Sequence, residues 1–459
     1  MNDATANASN PTEAGIIPEQ FSSTRNLDLN HIEQVRKHVQ HWNTQSGTPV
    51  WFVPSHELAL VDLVLEFKAG RALDGDQPGL SALTLYTLDE GLQTMEAGQF
   101  NESLERLGVS FDKRLSTDYV TLSLRTLASE AVLEPAVDLI LAMLAQPALS
   151  DASVEKIRQQ LQALRARTDA SPVTRARNEA FRQLFKGHPY ANALTPTQAG
   201  LDAVTAEEVR AFHARAYSAN NVRISMVGDL SRAQADAMAE RISQALAQAW
   251  AAIDPPPLPV AAPETLHVQA AGVNAAIILA VPQPILRREP LYPALMLANQ
   301  ILGVGLESRL MQALRRERGL TYDVRSTLIS LQAGGVLALE WQVAAHYNAA
   351  SQALVIDLLK QFIDQGPTDA ELALARQQLA GKHLREVARN QSLSQLLAQL
   401  GRHDLEDDHL STYVDRLIGV SAQDVRLALQ QLDLDAVVAV SVGPTKPQEP
   451  LPEPAPLAS

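Results

Sequence analysis

A chain of 459 residues with 46% hydrophobic and 20% charged residues has the balance of a globular protein that can bury sizeable cores, so disorder of the whole chain is excluded. The length suggests about two to four domains rather than one core. A formal net charge of −14 would repel a phosphate backbone, so no nucleic-acid partner is expected, and the lack of cysteine rules out disulfides, thiolate metal sites and a cysteine nucleophile.

Residues 1–24 have neither a basic start nor an apolar run, so no signal peptide or membrane span is expected. The chain reads as soluble, cytoplasmic by default or periplasmic if an export signal has been trimmed. Residues 1–47 are predicted to form a mobile segment and an entry helix bearing His38 and His41. Strand character begins with TPVWFVPS (48–55) and LALVDLVLEFKAG (58–70), expected to be neighbours in a sheet. The periodicity turns helical from Gly79 to about Leu107 and returns to strand over 109–127. A long helical region follows to about Leu184, with Ser150 or Asp151 as one N-cap and Pro172 near another helix start. In VTAEEVRAFHARAY (204–217), Thr205 and Glu208 form a predicted capping box, and NNVRISMVGDL (220–230) then turns into a strand.

That order recurs at the other end of the chain, where VSAQDVRLALQQL (420–432) precedes DAVVAVSVGP (435–444). AAIILAVPQP (275–284) likewise echoes LVDLVLEFKAG, so the chain reads as a duplication with a repeat of roughly 215 residues. The prolines of AWAAIDPPPLPVAAPE mark an extended linker at 249–264. The expected organisation is an α+β fold with an N-terminal domain at 48–248 and a homologous C-terminal domain at 265–444. Each is a mixed, mainly antiparallel sheet with helices packed largely on one face, and the Pro-rich tail 445–459 is expected to be extended and solvated.

The histidines offer two pairs at ligand-like spacing, His38 with His41 and His403 with His409, and both are read as surface residues. His188 in GHPYA is read as a structural loop residue, and Gly303 and Gly305 as a turn before a helix, since the third glycine and Lys-Ser/Thr ending of a phosphate loop are missing. Ser308 to Arg318 forms a predicted amphipathic helix with Leu310, Met311 and Leu314 on its core face. Gly319 closes it, and a strand is expected to start at Thr321.

The segment LANQILGVGLESRLMQALRRERGLTYDVRSTL (297–328), with QLFKGHPYANAL (183–194), NNVRISMVGDL and DQGPTDAELALARQQLAG (364–381), resembles the pitrilysin and mitochondrial processing peptidase family from about residue 48 to 444. The resemblance implies that family's metallohydrolase fold, with a clam-shell arrangement of two such chains. Catalytic members carry H-x-x-E-H on a helix, where two histidines bind zinc and the glutamate activates water, and a later glutamate completes the site. Here Gly79, Leu80 and Leu88 fix the motif's place, which reads Ala82-Leu83-Thr84-Leu85-Tyr86. The positions of the histidines and glutamate hold Ala82, Tyr86 and Leu85, while Gln162 and Ala163 stand where the later glutamate falls. Zinc needs about three protein ligands and these positions supply none, so no cofactor is expected in this chain.

What is kept is an arginine and a tyrosine seven residues apart, Arg315 and Tyr322, which in the family bind and polarise the substrate peptide. Guanidinium and phenol are both donors able to hold a carbonyl and the charge that develops on it. Arg318, beside Gly319, is expected to serve the helix C-terminus. The resemblance therefore implies a non-catalytic, substrate-binding subunit of a heteromeric zinc peptidase. Its partner would be a homologous subunit with H-x-x-E-H and zinc, and its substrates peptides or unfolded segments. The alternative is a structural or interaction subunit with no role in proteolysis.

Overall fold

The computed structural model describes residues 35–192 and 194–455. The expected mobile segment and most of the expected entry helix lie on residues 1–34, outside the described residues. Residues 35–39 have no regular structure, and the first strand, β1 (Gln40–Asn43), replaces the helix expected around His41. Tertiary pairing decides this: His41 sits opposite Trp51 in an antiparallel pair and stacks on its ring at 4.4 Å.

The first sheet also contains β2 (Pro49–Pro54), β3 (Leu60–Phe67), β4 (Ser110–Leu115), β5 (Val120–Leu127) and β6 (Val222–Gly228), in the order β1-β2-β6-β3-β5-β4. The second contains β7 (Glu264–Gln269), β8 (Asn274–Gln283), β9 (Val324–Leu331), β10 (Gly334–Ala344) and β11 (Val438–Gly443), in the order β7-β11-β8-β10-β9. Without β1 the two orders are the same: first, fifth, second, fourth, third. In both, the first and fifth strands are parallel and every other pair is antiparallel. The duplication read from the helix-strand signature is thus present as two tandem domains. The expected pairing of 48–55 with 58–70 needs correction, because β6 lies between β2 and β3.

The helices of the first half are α1 (Leu80–Thr87), α2 (Ala97–Leu107), α3 (Glu130–Ala145), α4 (Asp151–Asp169), α5 (Pro172–Leu184), α6 (Gln198–Ala203), α7 (Ala206–Ala216) and α8 (Arg232–Ala245). Those of the second are α9 (Tyr292–Gly303), α10 (Asn348–Gln365), α11 (Asp369–Val387), α12 (Asn390–Arg402), α13 (His409–Gly419) and α14 (Ala422–Leu429). Their starts follow local chemistry. Ser150 caps α4, Ser171 caps α5 with Pro172 in its first turn, and Thr205 with Glu208 closes a capping box on α7 that Ser421 with Asp424 repeats on α14.

The central strands alternate between two cores. In the first sheet Val50, Phe52, Leu63, Leu65, Ile224 and Met226 face that half's own helices, while Trp51, Val53 and Val227 face Leu393, Leu397 and Leu400, mainly on α12. In the second sheet Ile277, Leu279, Leu337 and Leu339 face inward, while Ile278, Ala280, Val336 and Val440 pack on Ala176, Phe181 and Leu184 of α5. Each half therefore lends one helix to cover the outer face of the other half's sheet. Own helices lie largely on one face, as the pattern predicts. Gly401 allows the close approach of α12: a Cβ there would come within 2.5 Å of Trp51.

Two buried polar links cross the same junction. Glu66, 1% exposed, is held by Arg402, and Asp118 accepts from Tyr190 Oη at 2.8 Å and from the Gln332 amide at 3.1 Å. The linker is also fastened, by His188 Nε2 against the Pro256 carbonyl at 2.9 Å and by Lys68 to Asp254 at 2.6 Å. The tail is extended but not simply solvated. The Glu449 and Ala455 amides donate to His346 and Glu317 carbonyls at 2.9 and 2.7 Å, and Leu451 is half-buried on the second core. A proline-rich strand is stiff before it docks, so little chain entropy opposes this contact.

Candidate functional site

The degenerate motif lies on α1. The buried Asp74 carboxylate caps this helix, accepting from the Gly79 and Ser81 amides, both at 2.8 Å, and burial lifts its pKa to about 6. Ala82 is 1% exposed and Leu85 is fully buried, so both are core residues, and Tyr86 packs at the core edge. Lys113 of β4 reaches over the Tyr86 ring, 5.6 Å from its centroid, and is hydrogen-bonded to Asp89. Arg71, its pKa lowered by burial against the opposing effect of Tyr86 and Asp74, donates to the Leu115 carbonyl at 3.1 Å. On α4, Gln162 is held by Asp202 at 2.8 Å and Ala163 is exposed. Catalytic zinc does not fit here: the ligand positions hold Ala82, Tyr86 and Gln162 or Ala163, with no histidine or carboxylate among them, and the cations Arg71 and Lys113 stand beside Tyr86. Among the described residues no group of three or more histidines, aspartates or glutamates is arranged to hold a metal.

The pair at 315 and 322 lies in the other half. The helix expected at 308–318 is wound as a π-helix over Met311–Arg316, with the Glu317 amide donating to the Gln312 carbonyl at 2.9 Å. Gly319 ends it with φ 61, as its residue type predicts. Strand β9 begins only at Val324, so Tyr322 lies in the turn before it and is 83% exposed. The Arg315 guanidinium stacks 4.5 Å from the centre of the Tyr322 ring and has no carboxylate partner among the described residues. Its neighbours are engaged: Arg316 with Glu307 at 3.2 Å, and Arg318 with the Ala313 carbonyl at 3.1 Å.

Tyr322 is on the rim of a cleft of about 500 Å³ between the start of α5 and strands β9 and β10. Glu340, near its floor, is clamped by Arg177 at 2.6 and 2.7 Å and by Arg325 at 2.9 Å. Burial alone would raise this carboxyl, but the two guanidiniums outweigh it and hold it below the usual range. The sequence reading missed this clamp. A lone glutamate in the apolar run VLALEWQV signals that a cation must come from elsewhere, but Arg177 is far away in the chain. No hydrogen bond or ring contact among the described residues joins Arg315 or Tyr322 to the degenerate motif.

The histidine pairs also resolve. His38 and His41 are exposed, and His41 pairs with Asp407 at 3.2 Å. His403 and His409 are not surface residues: His403 is 8% exposed and His409 half-buried, because the polar loop bearing them folds under against the second half.

Residues 56–198 match the model described as Insulinase (Peptidase family M16), and residues 203–379 match Peptidase M16 inactive domain. The solved peptidase M16 inactive domain from Pseudomonas fluorescens is 34% identical and superposes with a TM-score of 0.85 over 90% of this chain and 100% of that one. The chain belongs to peptidase family M16. Among M16 relatives, the Non-peptidase homolog YmxG of Helicobacter pylori is 26% identical over 77% of this chain and 81% of that protein. An uncharacterized zinc protease of Streptomyces coelicolor is 23% identical over 76% and 78%. With every zinc-ligand position lost, the chain is a non-catalytic M16 member. No helix among the described residues is long and apolar enough to cross a membrane.

Proposed function

We propose that this M16 chain is the substrate-binding subunit of a heteromeric zinc peptidase, with Arg315 and Tyr322 completing an active site whose zinc and general base come from a homologous partner carrying H-x-x-E-H. The observation that carries this reading is the open valence of the pair. Arg315 has no carboxylate partner among the described residues and stacks on an exposed phenol, Tyr322, which itself lines a cleft. A structural arginine is normally paired, and a structural tyrosine normally buries its ring. Two donors held together in this way suit a peptide carbonyl and its developing oxyanion. Peptides or unfolded segments would be the substrates.

The test is to assay this chain, a catalytic M16 chain and their mixture on a quenched peptide. Only the mixture, or the catalytic chain at a lower rate, should cleave it. Arg315→Ala and Tyr322→Phe should each lower the mixture's kcat/KM by the equivalent of about 1 to 4 kcal/mol. Chelator-sensitive cleavage by this chain alone would refute the reading, and so would full activity of both variants.

A further inference from the structure

The second half holds a larger cavity, of about 700 Å³, between the start of α9 and helices α11 to α14. Its size is that of a small-ligand pocket. It shares no lining residue with the cleft that Tyr322 lines. Leu379, Leu396, Leu400 and Leu405 give it apolar walls, and the rings of Tyr292 and Tyr413 give it flat ones.

The charges on its wall separate into satisfied and open groups. Arg416 is taken by Glu406, Lys382 lies 3.9 Å from Glu386, Arg288 lies 3.7 Å from Asp404, and Asp424 closes the capping box of α14. Glu289 accepts from the Leu286 amide at 3.0 Å. Arg287 differs from these. Its Nε donates to Tyr292 Oη at 3.1 Å and its Nη1 to Gln399 Oε1 at 2.5 Å, and its charge lies 5.6 Å from the Tyr292 ring centre. All these partners are neutral, so a half-buried guanidinium has no counter-anion among the described residues. Nearby, His409 Nδ1 is buried without a hydrogen-bond partner. Burial, with Arg416 and Arg287 close enough to repel its proton, lowers the His409 pKa to about 4, which places both guanidiniums on the same hollow as the imidazole.

We propose that this cavity binds a small organic anion with an apolar ring-bearing body, the anionic head on the Arg287 guanidinium and His409 Nδ1–H, the body between Tyr292, Tyr413 and the leucines. A guanidinium lacking a carboxylate and an unpartnered ring nitrogen, which donates in the Nδ1–H tautomer, are both supplied by one anionic oxygen group, while the leucines and tyrosines favour a flat apolar body. A neutral ligand would leave the guanidinium without a counter-charge, and a fully polar anion would leave the leucines wet.

The full chain should be titrated with the anionic fluorophore 8-anilinonaphthalene-1-sulfonate and with its neutral analogue N-phenyl-1-naphthylamine. The anion should fill one saturable site and bind more tightly than the neutral probe. Arg287→Gln should weaken it about tenfold or more while changing the neutral probe little, and Arg287→Lys should fall between. His409→Ala, which leaves the hydrogen bonds of Arg287 in place, should also weaken the anion, and Arg315→Ala should not. Near-ultraviolet circular dichroism checks that each variant is folded; should Arg287→Gln unfold, His409→Ala and Arg287→Lys carry the test. Undiminished anion binding in the folded Arg287 and His409 variants overturns the proposal, as does equal or tighter binding of the neutral probe.

Discussion

The exchange of helices between the two halves makes a thermodynamic prediction that neither half would make alone. Phe181 belongs to α5 of the first half, is 1% exposed, and is buried in the core formed with the second sheet. Leu397 belongs to α12 of the second half, is fully buried, and packs with Trp51 and Val53 of the first sheet. Phe181→Ala should cost about 3 to 5 kcal/mol and Leu397→Ala about 2 to 5 kcal/mol. If the halves unfold together, the unfolding entropy is about 1.0 kcal/mol/K, taking about 2.1 cal/mol/K per residue over the chain. The Phe181 variant should then melt about 3 to 5 °C lower, in one transition. Halves that melt separately would each have about half that entropy, and one transition would move by about 6 to 10 °C while the other stayed. Calorimetry of the two variants decides between these outcomes. Two resolved transitions, with Phe181→Ala shifting one and Leu397→Ala the other, would refute the account of the junction.

Acid should weaken the fold. Burial holds His213 near a pKa of about 4 and His403 near about 2, with Arg287 and Arg402 also depressing His403, and His409 is held near about 4. The unfolded chain, with these groups near 6.5, takes up their protons first, so their contribution is present above about pH 6.5 and is lost as pH falls toward 4. Asp74, raised to about 6, acts in the opposite sense, as do Asp62 and Asp118, both raised by burial, while His383, lowered by burial, and Glu340 and Glu371, which burial would raise but their arginines hold low, add to the loss in acid. Urea midpoints measured at pH 7.5 and 5 should fall, and His213→Gln should reduce that fall by about 1 kcal/mol or more; an equal fall in wild type and variant would contradict it. Gly401→Ala should destabilise by about 1 to 3 kcal/mol, read from the same urea curves, because the added Cβ meets Trp51 at 2.5 Å; unchanged stability would show that α12 can back away.

Local chemistry was legible in the sequence and long-range pairing was not. Thr205 with Glu208 and the two matching helix-strand ends act within a few residues, so caps, duplication and sheet-forming segments could be read directly. The strand between β2 and β3 comes from Val222–Gly228, far along the chain, and no local signal announces it. The same holds for Glu340, whose clamp reaches back to α5. His403 and His409 misled for a different reason. The stretch RHDLEDDHL is polar enough for a surface loop, yet one side of it packs inward while Asp404, Glu406, Asp407 and Asp408 stay exposed.

The clearest divergence between the halves falls on the candidate site. In the first half, regular α2 ends at Gly108 in the left-handed conformation, φ 65, and leads into the edge strand β4. At the equivalent place in the second half, the segment before Gly319 and edge strand β9 is wound as a π-helix. The apolar stripe of Leu310, Met311 and Leu314 would serve a regular helix equally well, which is why the sequence pointed to one. A π-turn is the poorer winding and persists only where surrounding contacts impose it. Here the Ala455 amide of the docked tail donates to the Glu317 carbonyl, and Arg318 donates to the Ala313 carbonyl, two carbonyls that the π-segment bears or adjoins. The altered winding thus coincides with Arg315, whose guanidinium stacks on Tyr322 and has no carboxylate partner among the described residues. The same duplicated scaffold has filled its two histidine positions with Ala82 and Tyr86 and its general-base position with Leu85 in one half, while in the other it keeps a π-wound segment beside a stacked arginine. Filling a lost site with core residues needs no further function. The π-winding is held by the docked tail and by Arg318, and under the proposed substrate-binding reading it sets where Arg315 meets Tyr322.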